Sequence, residues 1–258
     1  TALGIGEIGA RLLEPRLSAD NRQMLAYEKY PREIAEAQEG GRSCVLVLGN
    51  SLAKAAVDRD TLKIGLAKKG WSCPEVFYLT PDSSGVNEWT AAYRNYFPSD
   101  ETIQPDLLIL VTGPDHLLDQ AVRSPEKLSA FLVAEQERAE VLRDWLKTDS
   151  ERGRFVLAGV SSLFANKGRL RPRLFYNIFP SYEETARQLN YASQKDWQRE
   201  ASSEFTTERF RTLLDSIGLP DDRVVLAAVP LPKPYVLPES INDTLSKRQI
   251  RVLENSAS

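Results

Sequence analysis

Residues 44–62 read CVLVLGNSLAKAAVDRDTL, and the first eight of them decide the fold. Cys44 to Leu48 is an unbroken apolar run without polar alternation, which is how a strand buried on both faces reads. Gly49 and Asn50 interrupt it, and Ser51 then opens a stretch of Leu, Ala and Lys, residues that favour helix. A buried strand that passes at once into a helix is the first half of a parallel strand–helix–strand unit.

Working outward, the runs Glu75 to Thr80, Asp106 to Thr112, Arg154 to Val160 and Arg223 to Val229 read as further buried strands. Helices are expected between them. Thr61 to Lys69 stops at Gly70, and Asn87 caps a helix through Tyr96. Ser124-Pro125-Glu126 places a cap, a proline at the first helical position and an acid near the positive end of the helix dipole, opening a helix to about Leu146. Ser181 with Glu184 forms a capping box for a helix to about Asp196, and another helix spans about Thr206 to Ile217. Ser246 with Gln249 opens a last helix to about Glu254. The alternation predicts an α/β fold: a doubly wound three-layer sandwich on a five-stranded parallel sheet, in the flavodoxin-like order 2-1-3-4-5.

A chain of 258 residues is read as a single domain, with residues 1–40 a helical lead-in and residues 161–202 an insertion near the carboxyl edge of the sheet. Apolar residues make up 42% and charged residues 27%, the balance of an ordinary globular core, and a net charge of −3 argues against nucleic acid as partner. No apolar stretch is long enough to span a bilayer. The opening TALGIGEIGARLLEPRL is small and apolar, then basic. It reads either as the stub of a signal anchor, with an extracytoplasmic or periplasmic location, or as a surface helix from Gly6 to Leu13 that leaves a cytoplasmic location open. Cys44 and Cys73 begin consecutive strands. A disulfide between them is geometrically open, and two separate buried thiols is the other reading.

In parallel sheets ligands bind beyond the carboxyl ends of the strands, so the residues after each strand carry the functional reading. Here VLVLGNSLAKAAVDRDTL, Gly85 and PDLLILVTGPDH together resemble the first three blocks of the SGNH (GDSL-type) hydrolases. The resemblance implies that Ser51 is a nucleophile at a strand-to-helix turn. It also implies an oxyanion hole built from the amides of Ser51 and Gly85 and a side chain at Asp115, where the family carries asparagine. Asp115 departs from that pattern, because an ionised carboxylate accepts hydrogen bonds and repels an oxyanion. The family's terminal Asp-x-x-His block aligns with Ile241 to Ser246, which puts Thr244 in the histidine's place and Ile241 in the acid's, with Asp243 nearby.

The chain has one histidine, His116, which follows the third strand and is the candidate for a relocated base, with Asp115 or Asp119 beside it. Asn50, Asp243, Thr244, Arg169, Arg171 and Arg173 are candidates for the cleft edge. Lys167 and the arginines alternate with other residues ahead of Phe175, Tyr176 and Phe179, so the cations suit an anionic polymer and the aromatics suit sugar rings. One histidine and two cysteines make no metal site, and no glycine-rich phosphate loop is present, so no cofactor is expected. The expected function is a non-catalytic binding or assembly domain for a polysaccharide or a membrane-anchored partner. The alternative is an active serine esterase or O-acyltransferase on carbohydrate esters using Ser51.

Overall fold

Every residue of the opening strand, β1 (Cys44–Leu48), is buried, as its unbroken apolar sequence requires. In the computed structural model, which describes residues 2–98, 103–113, 115–170, 206–229 and 237–253, β1 lies inside a sheet with β2 (Glu75–Leu79) and β3 (Leu107–Thr112) on either side. Adding β4 (Val224–Ala228) and β5 (Arg251–Leu253) gives a parallel five-stranded sheet in the order β2-β1-β3-β4-β5. Side chains alternate across it. Cys44, Leu46 and Leu48 join the larger apolar cluster with Trp89, Tyr93, Phe97 and Phe210, while Val45 and Val47 join a smaller one with Ala53, Val76 and Val111. Helices therefore cover both faces, and the α/β three-layer reading holds.

The lead-in is helical: α1 (Ala2–Leu17), α2 (Ala19–Ala26) and α3 (Tyr30–Glu39), so the first helix is longer than Gly6 to Leu13. After β1 come α4 (Ser51–Ala56) and α5 (Arg59–Lys68), the latter capped by Asp58 through the Thr61 amide at 2.8 Å and followed by Gly70 at φ +90°. Next is α6 (Val86–Tyr96), whose N-cap is Gly85. Asn87 lies inside the helix and donates to the Gln120 carbonyl at 2.7 Å.

The expected helix from Pro125 to Leu146 starts as predicted, with Ser124 accepting from the Lys127 amide at 3.3 Å, but it is broken. The short turn α7 (Pro125–Lys127) runs into a wide π turn, Leu128–Leu132, closed by the Val133 amide donating to the Leu128 carbonyl at 3.1 Å. The chain is extended at Val133 and Ala134, and then forms α8 (Arg138–Glu140) and a second π turn, Val141–Trp145.

One strand assignment and one helix assignment are corrected. Arg154 to Val160 is the second half of α9 (Asp149–Val160). Its start is a capping box, with Thr148 Oγ1 accepting from the Glu151 amide at 3.2 Å and Glu151 Oε2 accepting from the Thr148 amide at 2.9 Å. Only Phe155 and Ala158 of this run are buried, a helical spacing, while Val156, Leu157 and Val160 are exposed. At the other end, Ser246 lies in the last turn of α12 (Glu239–Lys247) and does not open a helix. Gln249 takes φ +56°, and the Ile250 amide reaches the Leu245 carbonyl at 2.9 Å, a left-handed helix stop. That stop turns the chain back into the sheet as β5. Between these, α10 (Ser162–Ala165) follows α9, and α11 (Glu208–Ser216) lies within the expected span. The helix expected from Ser181 falls outside the described residues.

Cys44 is buried and Cys73 exposed, and both thiols are free. The Cys44 sulfur sits 3.7 Å from the Ile34 carbonyl, and burial pushes its thiol up to about 11. No helix among the described residues is long and apolar enough to cross a membrane.

Candidate functional site at the carboxyl edge of the sheet

Three loops meet where β1, β2 and β3 end, and short-range backbone chemistry ties them together. Gly49 brings β1 and α4 so close to β3 that a Cβ there would lie 2.7 Å from Ala53 Cβ and 2.8 Å from the Val111 carbonyl oxygen. Asn50 is buried and caps α4: its Oδ1 accepts from the Leu52 amide at 2.9 Å, while its Nδ2 donates to the Ser84 carbonyl at 3.0 Å. The Ser84 hydroxyl in turn accepts from the Trp89 indole at 2.8 Å. From the third loop, the His116 carbonyl accepts from the Val86 amide at 2.8 Å, and a Cβ on Gly85 would lie 3.3 Å from that same oxygen. Asn50, Ser51, Gly85, Asp115 and His116 are thus brought to one edge, as the strand-end reading expects.

Their chemistry departs from a hydrolase. Ser51 is exposed, and among the described residues its hydroxyl makes no hydrogen bond. The Gly85 amide donates to Glu88 Oε2 at 3.0 Å, and Glu88 Oε1 accepts from the Arg123 amide at 2.9 Å. Burial raises the Glu88 carboxyl above its ordinary value, with these two amides opposing the shift. The second expected oxyanion donor is therefore already engaged inside the protein.

His116 accepts at Nδ1 from the Gly113 amide at 3.0 Å, so the ring hydrogen sits on Nε2 and the basic lone pair is occupied. Burial first, and the Arg123 charge second, lower its pKa to about 4 against the opposing pull of Asp115. The neutral, backbone-locked imidazole stacks at a tilt on Trp89, ring centroids 6.0 Å apart. The hollow between Gly85, Asp115, His116 and Arg123 has a volume of about 10 Å³, room for roughly one water and not for an acyl chain.

The other expected residues stand apart. Asp119 accepts from the Glu208 and Arg209 amides at 2.9 Å each and so caps α11; it does not orient His116. Thr244 is buried on α12, donating to the Ser240 carbonyl at 2.8 Å and accepting from Arg211 Nε at 3.4 Å, and Asp243 is exposed on the same helix. The Thr244 position therefore holds two helices together and supplies no base. Arg169 pairs with Asp20 at 3.0 Å, and Lys167 pairs with Glu126 at 3.2 Å, so the two described cations of this segment are engaged within the fold. Arg171 and Arg173, with the aromatics that follow them, lie outside the described residues.

Sequence reading missed the charged support beneath the second loop. Asp20 on α2 accepts from the Asp82 amide at 2.9 Å and pairs with Lys127 at 2.9 Å, and Lys127 also donates to the Asp82 carbonyl. Lys54 on α4 pairs with the Asp82 carboxylate at 2.7 Å. Glu88 had a sequence signal, standing three residues after the capping position at Gly85; Asp20 and Lys127 had none, since 107 positions separate them. Among the described residues no cluster of His, Cys, Asp and Glu could hold a metal ion.

No protein-family model, curated protein or solved structure matches this chain.

Proposed function

We propose that this chain is a non-catalytic binding or assembly domain on a frame resembling the SGNH hydrolases, serving a polysaccharide or a membrane-anchored partner. The observation that carries the reading is the Gly85 amide bonded to the buried Glu88 side chain, which takes away one of the two backbone donors that the expected oxyanion hole would need. The occupied Nδ1 of His116 and its lowered pKa add to it, because a serine hydroxyl is a weak nucleophile without a base to take its proton. The carbohydrate class rests on the family resemblance.

The second reading, a serine esterase or O-acyltransferase, is favoured by one feature: Ser51 is exposed at the start of α4, and its hydroxyl makes no hydrogen bond among the described residues. Exposure to a fluorophosphonate followed by intact-mass analysis separates the two. The binding reading expects no adduct under conditions that label a known serine esterase, and ligand binding that survives Ser51→Ala. A single adduct that disappears in Ser51→Ala would replace it with the esterase reading.

A further inference from the structure

On the outer side of the edge strand β2 lies a hollow of about 450 Å³, within the size range of small-molecule sites. Gln23 and Tyr30 from the lead-in, Lys54 from α4, Asp58 and Arg59 at the start of α5, and Tyr78 from β2 line it. Ser51, Gly85 and His116 are not among its lining residues.

Tyr30 spends its hydroxyl hydrogen on the Tyr78 carbonyl at 3.3 Å, and Tyr78 spends its own on the Val57 carbonyl at 2.8 Å. Gln23 directs its amide nitrogen to the Tyr78 carbonyl at 3.2 Å and to Thr80 Oγ1 at 2.9 Å. What remains on these side chains are acceptors: two phenol oxygens and the Gln23 carbonyl. Asp58 caps α5 through the Thr61 amide at 2.8 Å and also accepts from the Thr61 side chain and the Asp60 amide, so of a carboxylate's roughly four acceptor sites about one remains.

Arg59 is the counterweight. Its guanidinium lies 5.1 Å from the centre of the Tyr78 ring, and among the described residues it makes no hydrogen bond or ion pair. Its forked donors match a carboxylate geometrically. Lys54 adds a second cation, partly spent on Asp82 at 2.7 Å. The complement of one forked cation beside several acceptors and two aromatic rings is a molecule with one carboxylate and several hydroxyls.

We propose that this hollow binds a sugar acid, with the carboxylate on Arg59 and ring hydroxyls donating to Tyr30, Tyr78, Gln23 and Asp58. The proposal rests on the binding reading for its biological sense but on different residues. Loss of binding here and labelling of Ser51 would therefore be separate results.

The test is calorimetric titration of the full chain with trigalacturonate and with its methyl ester, which keeps the hydroxyls and removes the charge. The acid should bind at least about tenfold more tightly than the ester, and Arg59→Gln should weaken the acid by about the same factor, equivalent to about 1.4 kcal/mol. Arg59 is exposed, so the variant should keep the wild-type circular dichroism spectrum, and Arg143→Gln, which does not line the hollow, should bind as the wild type does. Equal binding of acid and ester, undiminished binding by Arg59→Gln, or no heat at roughly 10 mM ligand would each overturn the proposal.

Discussion

Replacing Lys127 by Met removes the cation that holds the second loop from beneath. The Lys127 side chain is 8% exposed and that of Asp20 is 7%, so the pair is sheltered from water. Asp20 Oδ2 accepts from Lys127 at 2.9 Å and Arg169 at 3.0 Å, while its Oδ1 accepts from the Asp82 amide at 2.9 Å. Breaking a buried ion pair from one side costs about 3–5 kcal/mol, because the remaining charge stays buried. Arg169 still faces Asp20 in the variant, which places Lys127→Met near the low end, about 3 kcal/mol. In a domain of this size that is a fall in Tm of about 6–12 °C.

The assay is urea unfolding of the wild type, Lys127→Met, Asp20→Leu and the double variant, with calorimetry for Tm. The double variant should lose less than the sum of the singles, since neither charge is then left unpaired. The pH profile has a worked sign. Burial alone would raise the Asp20 carboxyl, but Lys127, the Asp82 amide and Arg169 outweigh burial and hold it below its ordinary value. The folded state thus binds fewer protons than the unfolded state at this group. Its contribution is present above about pH 3.9, the unfolded value, and is lost as pH falls through the folded value. Lys127→Met should move that acid loss to higher pH. A loss below about 1 kcal/mol for Lys127→Met, or additivity in the double variant, would refute the reasoning.

Other outcomes can be checked on the same material. His116 is the single histidine, so its imidazole signals can be followed by NMR; the midpoint should lie at about 4, and a midpoint near 6.5 would mean the ring is solvated and free of Gly113. Because that pKa is depressed, its stabilising contribution is present above about pH 6.5 and declines as pH falls toward the folded value. Gly49→Ala drives a methyl group to 2.8 Å from the Val111 carbonyl, a backbone atom that cannot swing away, and should cost about 1–3 kcal/mol in urea unfolding; wild-type stability would show that the β1–β3 approach is looser than described.

The strand-end logic and the parallel sheet were legible in local sequence. Cys44 to Leu48, Glu75 to Leu79 and Leu107 to Thr112 are apolar because both faces of each strand need covering, and Gly49 and Gly113 mark close approaches that a Cβ would obstruct. Where local reading failed, local patterns were ambiguous. Arg154 to Val160 is a short apolar run that suits a strand or a one-sided helix equally, and the Thr148–Glu151 capping box upstream resolves it. Arg251–Leu253 is short and flanked by polar residues, so its strand identity comes from the β4 edge it pairs with.

The candidate site divides along the same line. That Ser51, Gly85 and His116 share an edge follows from their places after successive strands, because a parallel sheet sends all its strand ends to one side. Whether they can act together depends on hydrogen bonds formed only after folding: Glu88 on the Gly85 amide, the Gly113 amide on His116, Asp119 on α11. Asp20 and Lys127 meet across 107 positions of chain, and no spacing announces them. Periodicity and turn residues encode contacts between near neighbours, so the sequence alone determined the parallel α/β frame, its inner strands and the edge where their loops gather. Desolvation and the pairing of distant polar groups exist only in the packed molecule, and they decided which of the edge residues remain free to act.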